Sequence, residues 1–223
     1  MSLVVSACSY TAPAEVVPTP DTPVLPDSPL DTPVVEPDGP EPDGPPPEPT
    51  TTDHVASADT WINSQATNTN FSAQTILLTD GGPPAVTLMQ FDLSGIASTT
   101  QVISAELHVF TTTDEGEEVT VFRLLEGWSE ATATWNSRMA GVAWSAVGAA
   151  PPARGTTAVA TFTPILESTE FAVAFDAPTV QGWVAEPATN FGIAITSVNM
   201  DGAVFFASES TTQKPFLRVK HVP

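Results

Sequence analysis

Val102-Ile103-Ser104-Ala105-Glu106-Leu107-His108-Val109-Phe110 is the stretch whose reading decides the fold. Ile103, Ala105, Leu107 and Val109 face one way, while Ser104, Glu106 and His108 face the other. A period of two marks a β-strand in a sheet with one wet face. Outward from it, short runs of alternating or apolar character recur, separated by turn residues. They predict further strands at 58–63, 75–79, 87–92, 119–125, 134–136, 159–163, 171–175, 191–197, 203–208 and 216–221. Gly81-Gly82-Pro83-Pro84, Asp114-Glu115-Gly116 and Asp201-Gly202 are turn signals, and the last reads as a hairpin tip between Val198 and Val204. One short helix is expected where Asp176 caps, Pro178 sits in the first turn and Val180, Trp183 and Val184 share a face. Many short strands with one helix, without strand–helix alternation, predict an all-β antiparallel β-sandwich, jelly-roll-like.

Upstream the composition changes. Fourteen of the 23 prolines lie in residues 9–52, together with nine carboxylates. Proline resists helix interiors and central strands, and the few apolar residues there are scattered. The expected organisation is a remnant signal segment with a lipobox (1–8), a disordered Pro/Asp/Glu/Thr-rich linker (9–52) and a β-sandwich domain (53–223). About 170 residues suffice for one buried core. Cys8 is the only cysteine, so no intrachain disulfide forms. Val5-Ser6-Ala7-Cys8 matches the bacterial lipoprotein box, which makes Cys8 the expected lipidation site. The expected location is the outer cell surface, lipid-anchored through Cys8, or the secreted fraction, with that anchor the only membrane contact. No apolar run reaches the length of a membrane-spanning helix.

The formal charge is −20, and Arg123 is the first Lys or Arg in the chain. So acidic a chain has few cations to displace counterions from phosphates, which excludes nucleic acid as a partner. A strongly anionic polymer is disfavoured too, unless Arg123, Arg138, Arg154, Lys214, Arg218 and Lys220 cluster.

Motifs for catalysis are missing. The sequence has no Gly-x-Ser-x-Gly elbow, His-Glu-x-x-His or phosphate loop, and its only tyrosine, Tyr10, lies in the linker. Glu126 and Glu130 lie near each other in sequence, but surface carboxylates far outnumber catalytic pairs. The chain is read as non-catalytic.

A run of motifs in fixed order then narrows the class: Ala58-Asp59-Thr60-Trp61-Ile62, Asn68-Thr69-Asn70-Phe71, Leu88-Met89-Gln90-Phe91-Asp92-Leu93, Ser104-Ala105-Glu106-Leu107, Trp128-Ser129-Glu130 through Thr134-Trp135-Asn136, Trp183, Asn190-Phe191-Gly192 and Lys214-Pro215-Phe216-Leu217. Over about residues 53–222 the chain resembles DNRLRE-type domains, which overlap carbohydrate-binding module family 96. The resemblance implies a jelly-roll-like module of surface and secreted bacterial proteins, some members of which bind acidic polysaccharides such as alginate. Gln90 stands where the family often has Arg, and the name-giving hexapeptide is missing, so anionic-sugar binding does not carry over.

A sugar ring stacks its C–H face on an exposed aromatic and offers hydroxyls to polar side chains. Alternation places Ala58, Thr60 and Ile62 on one side and Asp59, Trp61 and Asn63 on the other, read as the solvent face. Trp144 falls in a loop-like stretch, 139–150. The expected ligand-binding residues are therefore Trp61, Asp59, Asn63, Trp144 and Arg138, with polysaccharide as the partner and a monomer as the state. Trp128 and Trp135 are expected to pack in the sandwich or brace its corner, and Trp183 to face the sheet from the short helix. No cofactor is required. A structural calcium ion, of the kind jelly-roll modules often hold, has Asp53 and Asp59 as candidate ligands, and Asp176 shares their type. His54 and His221 are read as exposed side chains near each other rather than a zinc site, which needs three or four ligands. The alternatives are a structural or adhesive surface module with a protein partner, and an accessory domain of a polysaccharide-degrading system.

Overall fold

A computed structural model describes residues 44–112, 117–165 and 169–223. Residues 1–43, with Cys8 and most of the expected linker, and the turn signal at 114–116 lie outside the described residues. Twelve strands follow: β1 (Thr50–Asn63), β2 (Ile76–Gly81), β3 (Pro84–Phe91), β4 (Gln101–Phe110), β5 (Val119–Leu124), β6 (Ser137–Met139), β7 (Val142–Ala143), β8 (Arg154–Phe162), β9 (Glu170–Phe175), β10 (Ile193–Ser197), β11 (Ala203–Phe206) and β12 (Phe216–Val222). Among the described residues one α-helix, α1 (Ala177–Ala185), sits between β9 and β10. The expected all-β antiparallel sandwich is what the chain forms. β1 begins at Thr50, so Thr50–Thr52 belong to a strand and not to the linker.

The strands build two layers joined by β1. Its first half pairs with β12, from Thr50 opposite His221 to Val55 opposite Phe216, and β12 continues to β4 and β9. The register then breaks between Ala56 and Ala58, and the second half pairs with β3, from Ala58 opposite Gln90 to Asn63 opposite Ala85. β3 leads on to β10, β5 and β8. A bulge bends a strand and increases its twist, which lets one strand serve both layers. β2 forms a hairpin with β3 and also pairs with β11.

The inner faces share one core. Leu107, Val109, Leu217 and Val219 come from the first layer, and Met89, Phe91, Val121, Ile193 and Ile195 from the second. α1 closes it with Val180, Trp183 and Val184, all buried. The helix starts as expected: the Asp176 carboxylate accepts from the Thr179 N–H at 2.9 Å, and Pro178 fits the first turn. Gln181 ties it to β4, accepting from Val102 N–H and donating to the Thr100 carbonyl.

Three local expectations change. Ile103 is 45 % exposed while Val102 is buried. Lys220 pairs with Ser104 and His221 with Val102, so Ile103 is left over as a bulge in β4, which breaks the alternation there. Residues 134–136 are not a strand; the short hairpin β6–β7 begins at Ser137. Val198–Val204 is not a hairpin tip either, because β10 pairs with β3 and β5 whereas β11 pairs with β2. The crossing is tight: Gly202 has φ +34°, and a Cβ there would lie 1.8 Å from the Thr79 carbonyl oxygen.

Candidate functional site

The second layer is covered on both faces. On its outer side Ile62, Val86, Leu88, Leu124 and Ala194 form a second buried cluster beneath the segment that follows β5. Trp128, Trp135 and Trp144 pack there. Their indoles lock the segment down: Trp128 Nε1–H donates to the Phe191 carbonyl and Trp144 Nε1–H to the Thr134 carbonyl, both at 2.9 Å. Such partners offset the cost of enclosing an indole N–H. Trp135 lies over Gly148, where a Cβ would approach its ring to 2.4 Å.

This cap changes the sequence reading of the site. Thr60 and Ile62 do alternate with Asp59 and Trp61, but neither side is the solvent face. Ile62 lies under the cap and Trp61 leans on the inner core. Trp61 is half-buried and stacked on Phe71 at 3.8 Å, so one ring face is taken. Asp59 is 1 % exposed and unavailable to a polysaccharide. Asn63 accepts from the Gln65 N–H and shapes the turn after β1. Trp144 is 4 % exposed, not an open loop residue. Trp183 packs in the inner core, and Trp128 and Trp135, half-buried, brace the cap on the outer side.

Two of the five expected residues nevertheless meet. Arg138 and Trp144 line a cleft of about 540 Å³ with Leu125, Glu126, Ser145 and Phe191. Arg138 Nε lies 3.8 Å from Glu126 Oε2, and the Arg138 guanidinium donates to the Gly127 carbonyl. The Glu126 carboxylate also accepts from the Ser145 hydroxyl and N–H. Leu125, 46 % exposed, lines both this cleft and a second one of about 370 Å³. The second carries Arg123, Thr156, Thr157, Asp176 and Thr179. The cleft floor follows from β5: Val119 and Val121 point into the core, Leu124 points under the cap, and Leu125 leaves the strand exposed. Sequence reasoning missed Leu125 and Arg123, and an apolar residue just past a strand end was the available signal.

The basic residues divide. Arg123 and Arg138 line the clefts, and Arg154 sits nearby on β8, its guanidinium 4.9 Å from the Phe122 ring. Burial lowers the Arg154 pKa. Arg218 and Lys220 lie on β12 in the other layer. Asp53 pairs there with Arg218 through two bonds of 2.7 Å. It therefore does not join Asp59 in a metal site, and Asp176 serves as the helix cap. His54 and His221 both approach the Thr52 hydroxyl, at 2.9 and 3.5 Å.

Asp59 has other company. Its Oδ2 accepts from the Ser208 N–H at 2.8 Å, and its own N–H donates to Glu130 Oε1 at 2.8 Å. Asn70 holds the Glu130 segment by donating to the carbonyls of Glu130 and Ala133. Burial pushes the Asp59 carboxyl up to about 7; the Ser208 N–H opposes this, and the charge of Glu209 adds to it.

Several motif residues staple the domain together. Gln90 donates to the Asn190 carbonyl, Asn190 to the Phe91 carbonyl, and Asn136 to the Asn68 side chain. Gly192, at φ +79°, brings its backbone so close to Met89 that a Cβ would lie 2.0 Å from that carbonyl oxygen.

These staples and the Trp-rich cap define a sandwich module with a lined cleft. The family model of carbohydrate-binding module family 96 matches residues 50–221. The chain belongs to that family. No curated protein matches it.

Proposed function

We propose that the chain is a non-catalytic module that binds polysaccharide in the cleft centred on Leu125. The observation that carries this reading is the composition of the cleft. An exposed Leu125 with the half-buried Phe191 offers apolar surface, backed by the buried Trp144 and flanked by Arg138, Glu126 and Ser145. A sugar needs both, a surface for its C–H face and fixed polar groups for its hydroxyls. The adjoining cleft with Arg123, Thr156 and Thr157 extends the track beyond one ring. Each sugar contact is weak, so several in line support useful affinity.

The test is affinity gel electrophoresis against neutral and uronic-acid polysaccharides. Leu125→Ala and Arg138→Gln are expected to lose most of the retardation shown by the parent chain. Undiminished retardation in both variants would remove the cleft from the reading. Binding to no glycan, together with capture of a protein partner, would favour an adhesive module.

The proposed location is the outer cell surface, tethered through a lipid on Cys8. Support comes from Val5-Ser6-Ala7-Cys8 and the acidic Pro/Thr segment after it. Mass spectrometry of the natively expressed N-terminus checks this: a diacylated cysteine is expected, and an unmodified Cys8 inside a longer chain would end it.

A further inference from the structure

Three segments far apart in the chain bring carboxylates to one place. Asp59 on β1, Glu130 in the Trp-rich bend and Glu209 between β11 and β12 each offer an oxygen within 4.8 Å of the other two. Like charges so close repel, and the arrangement persists only if something offsets them. Asp59 adds an independent sign. It is 1 % exposed, its Oδ2 is satisfied by the Ser208 N–H, and its enclosed Oδ1 meets no N–H or hydroxyl donor, only the carboxyl of Glu209. The Asp59 carboxyl faces that of Glu209. An enclosed carboxylate oxygen with no donor is costly; a proton or a cation relieves it, and the oxygens of Glu130 and Glu209 beside it give a cation its further ligands.

We propose that Asp59, Glu130 and Glu209 bind one calcium ion that clamps β1 to the Trp-rich cap and to the β11–β12 turn. The inference goes beyond glycan binding and does not depend on it. Its chemistry follows from the donors. All three are carboxylates, and the group contains no histidine or cysteine, which selects a hard cation over zinc or copper. Magnesium is usually held by one or two carboxylates and keeps most of its water, whereas calcium accepts three carboxylates in irregular geometry with carbonyls or water completing the shell. Two of the ligands are already held in place: Glu130 by the Asp59 N–H and Asn70, Asp59 by the Ser208 N–H. Glu209 is exposed, so it is the side through which an ion enters and leaves.

The experiment uses the full chain, stripped with EDTA and dialysed, with no glycan present. Calorimetric titration with CaCl2 is expected to show one ion per chain, and thermal melts a Tm that rises with calcium. Glu209→Gln is the decisive variant, because an exposed position does not threaten folding. Its metal-free Tm is expected to equal or exceed that of the parent, since one repelling charge is gone, while its calcium affinity falls at least about tenfold. Calcium bound loosely by the acidic N-terminal segment would be untouched by this variant. A parent Tm indifferent to calcium overturns the proposal, as does a Glu209→Gln chain that keeps the full calcium response. An equal response to MgCl2 at equal concentration overturns the calcium assignment.

Discussion

On the outer side of β3, Val86 and Leu88 lie buried beneath Trp144; on the outer side of β4, Glu106 stands in solvent and His108 is sheltered only by its neighbours. Phe216 stacks on the His108 ring at 4.2 Å, and the carboxylates of Glu106 and Glu170 lie 3.6 and 2.5 Å from its nitrogens. Both layers give the same kind of inner face to the core. They differ in what happens outside. One layer borrows a long inter-strand segment as a lid, while the other relies on side-chain pairs within the sheet. A covered sheet can hold continuously buried strands, as Ala85–Met89 are all buried, Thr87 included; a bare one must alternate. The cleft is lined from the edge of the lid, so the covered layer is the one that carries the proposed binding surface.

The comparison can be broken by removing one outer-face aromatic from each layer. Trp144→Ala should cost about 3–5 kcal/mol, the usual penalty for emptying a buried tryptophan site. Phe216→Ala, half-buried on the bare layer, should cost only about 1–2 kcal/mol, since it loses a ring stack and partial burial. Urea melts of the two variants measure the difference, and equal costs would mean that the lid adds no stability of its own. Between these lies Gly192→Ala. Its left-handed backbone alone should cost about 1–3 kcal/mol, and overlap with the Met89 carbonyl adds to that.

The smallest effect belongs to the Asp53–Arg218 pair. The Arg218 hydrogen bonds hold the Asp53 carboxyl below its ordinary value. A carboxyl depressed in the folded state stabilises above the ordinary carboxylate pKa and loses that contribution as pH falls through its lowered folded value. Both groups are exposed, so solvent screens the pair. Asp53→Asn should leave the Tm at neutral pH nearly unchanged and flatten its decline in acid. A large loss at neutral pH would show that the bare layer depends on its ion pairs.

The difference between the layers also explains what could be read from the sequence. Ala105, Leu107 and Val109 announce a strand with one wet face, and Asp176 with Pro178 announces the helix, because both signals are local. The lid is not local. Whether Trp144 lies open or buried depends on a sheet face built by β1, β3, β5 and β10, which no spacing within 139–150 encodes. The same holds for Trp61, whose fate is set by Phe71 and by the core beneath it. The carboxylate cluster was only partly legible: Asp59 stands out by type, but Glu130 and Glu209, 71 and 150 positions downstream, meet it only after the sandwich closes. Arg138 was legible as a polar contact; Leu125, its apolar counterpart in the cleft, read only as the end of a strand.

One consequence follows from the way β1 passes from β12 to β3 at Ala56. A single covalent backbone runs through both layers like a beam shared by two floors. Tension applied near Thr50 therefore reaches the opposite floor along the main chain, without needing side-chain contacts to relay it. The two floors cannot drift apart until that beam is pulled free of one of them.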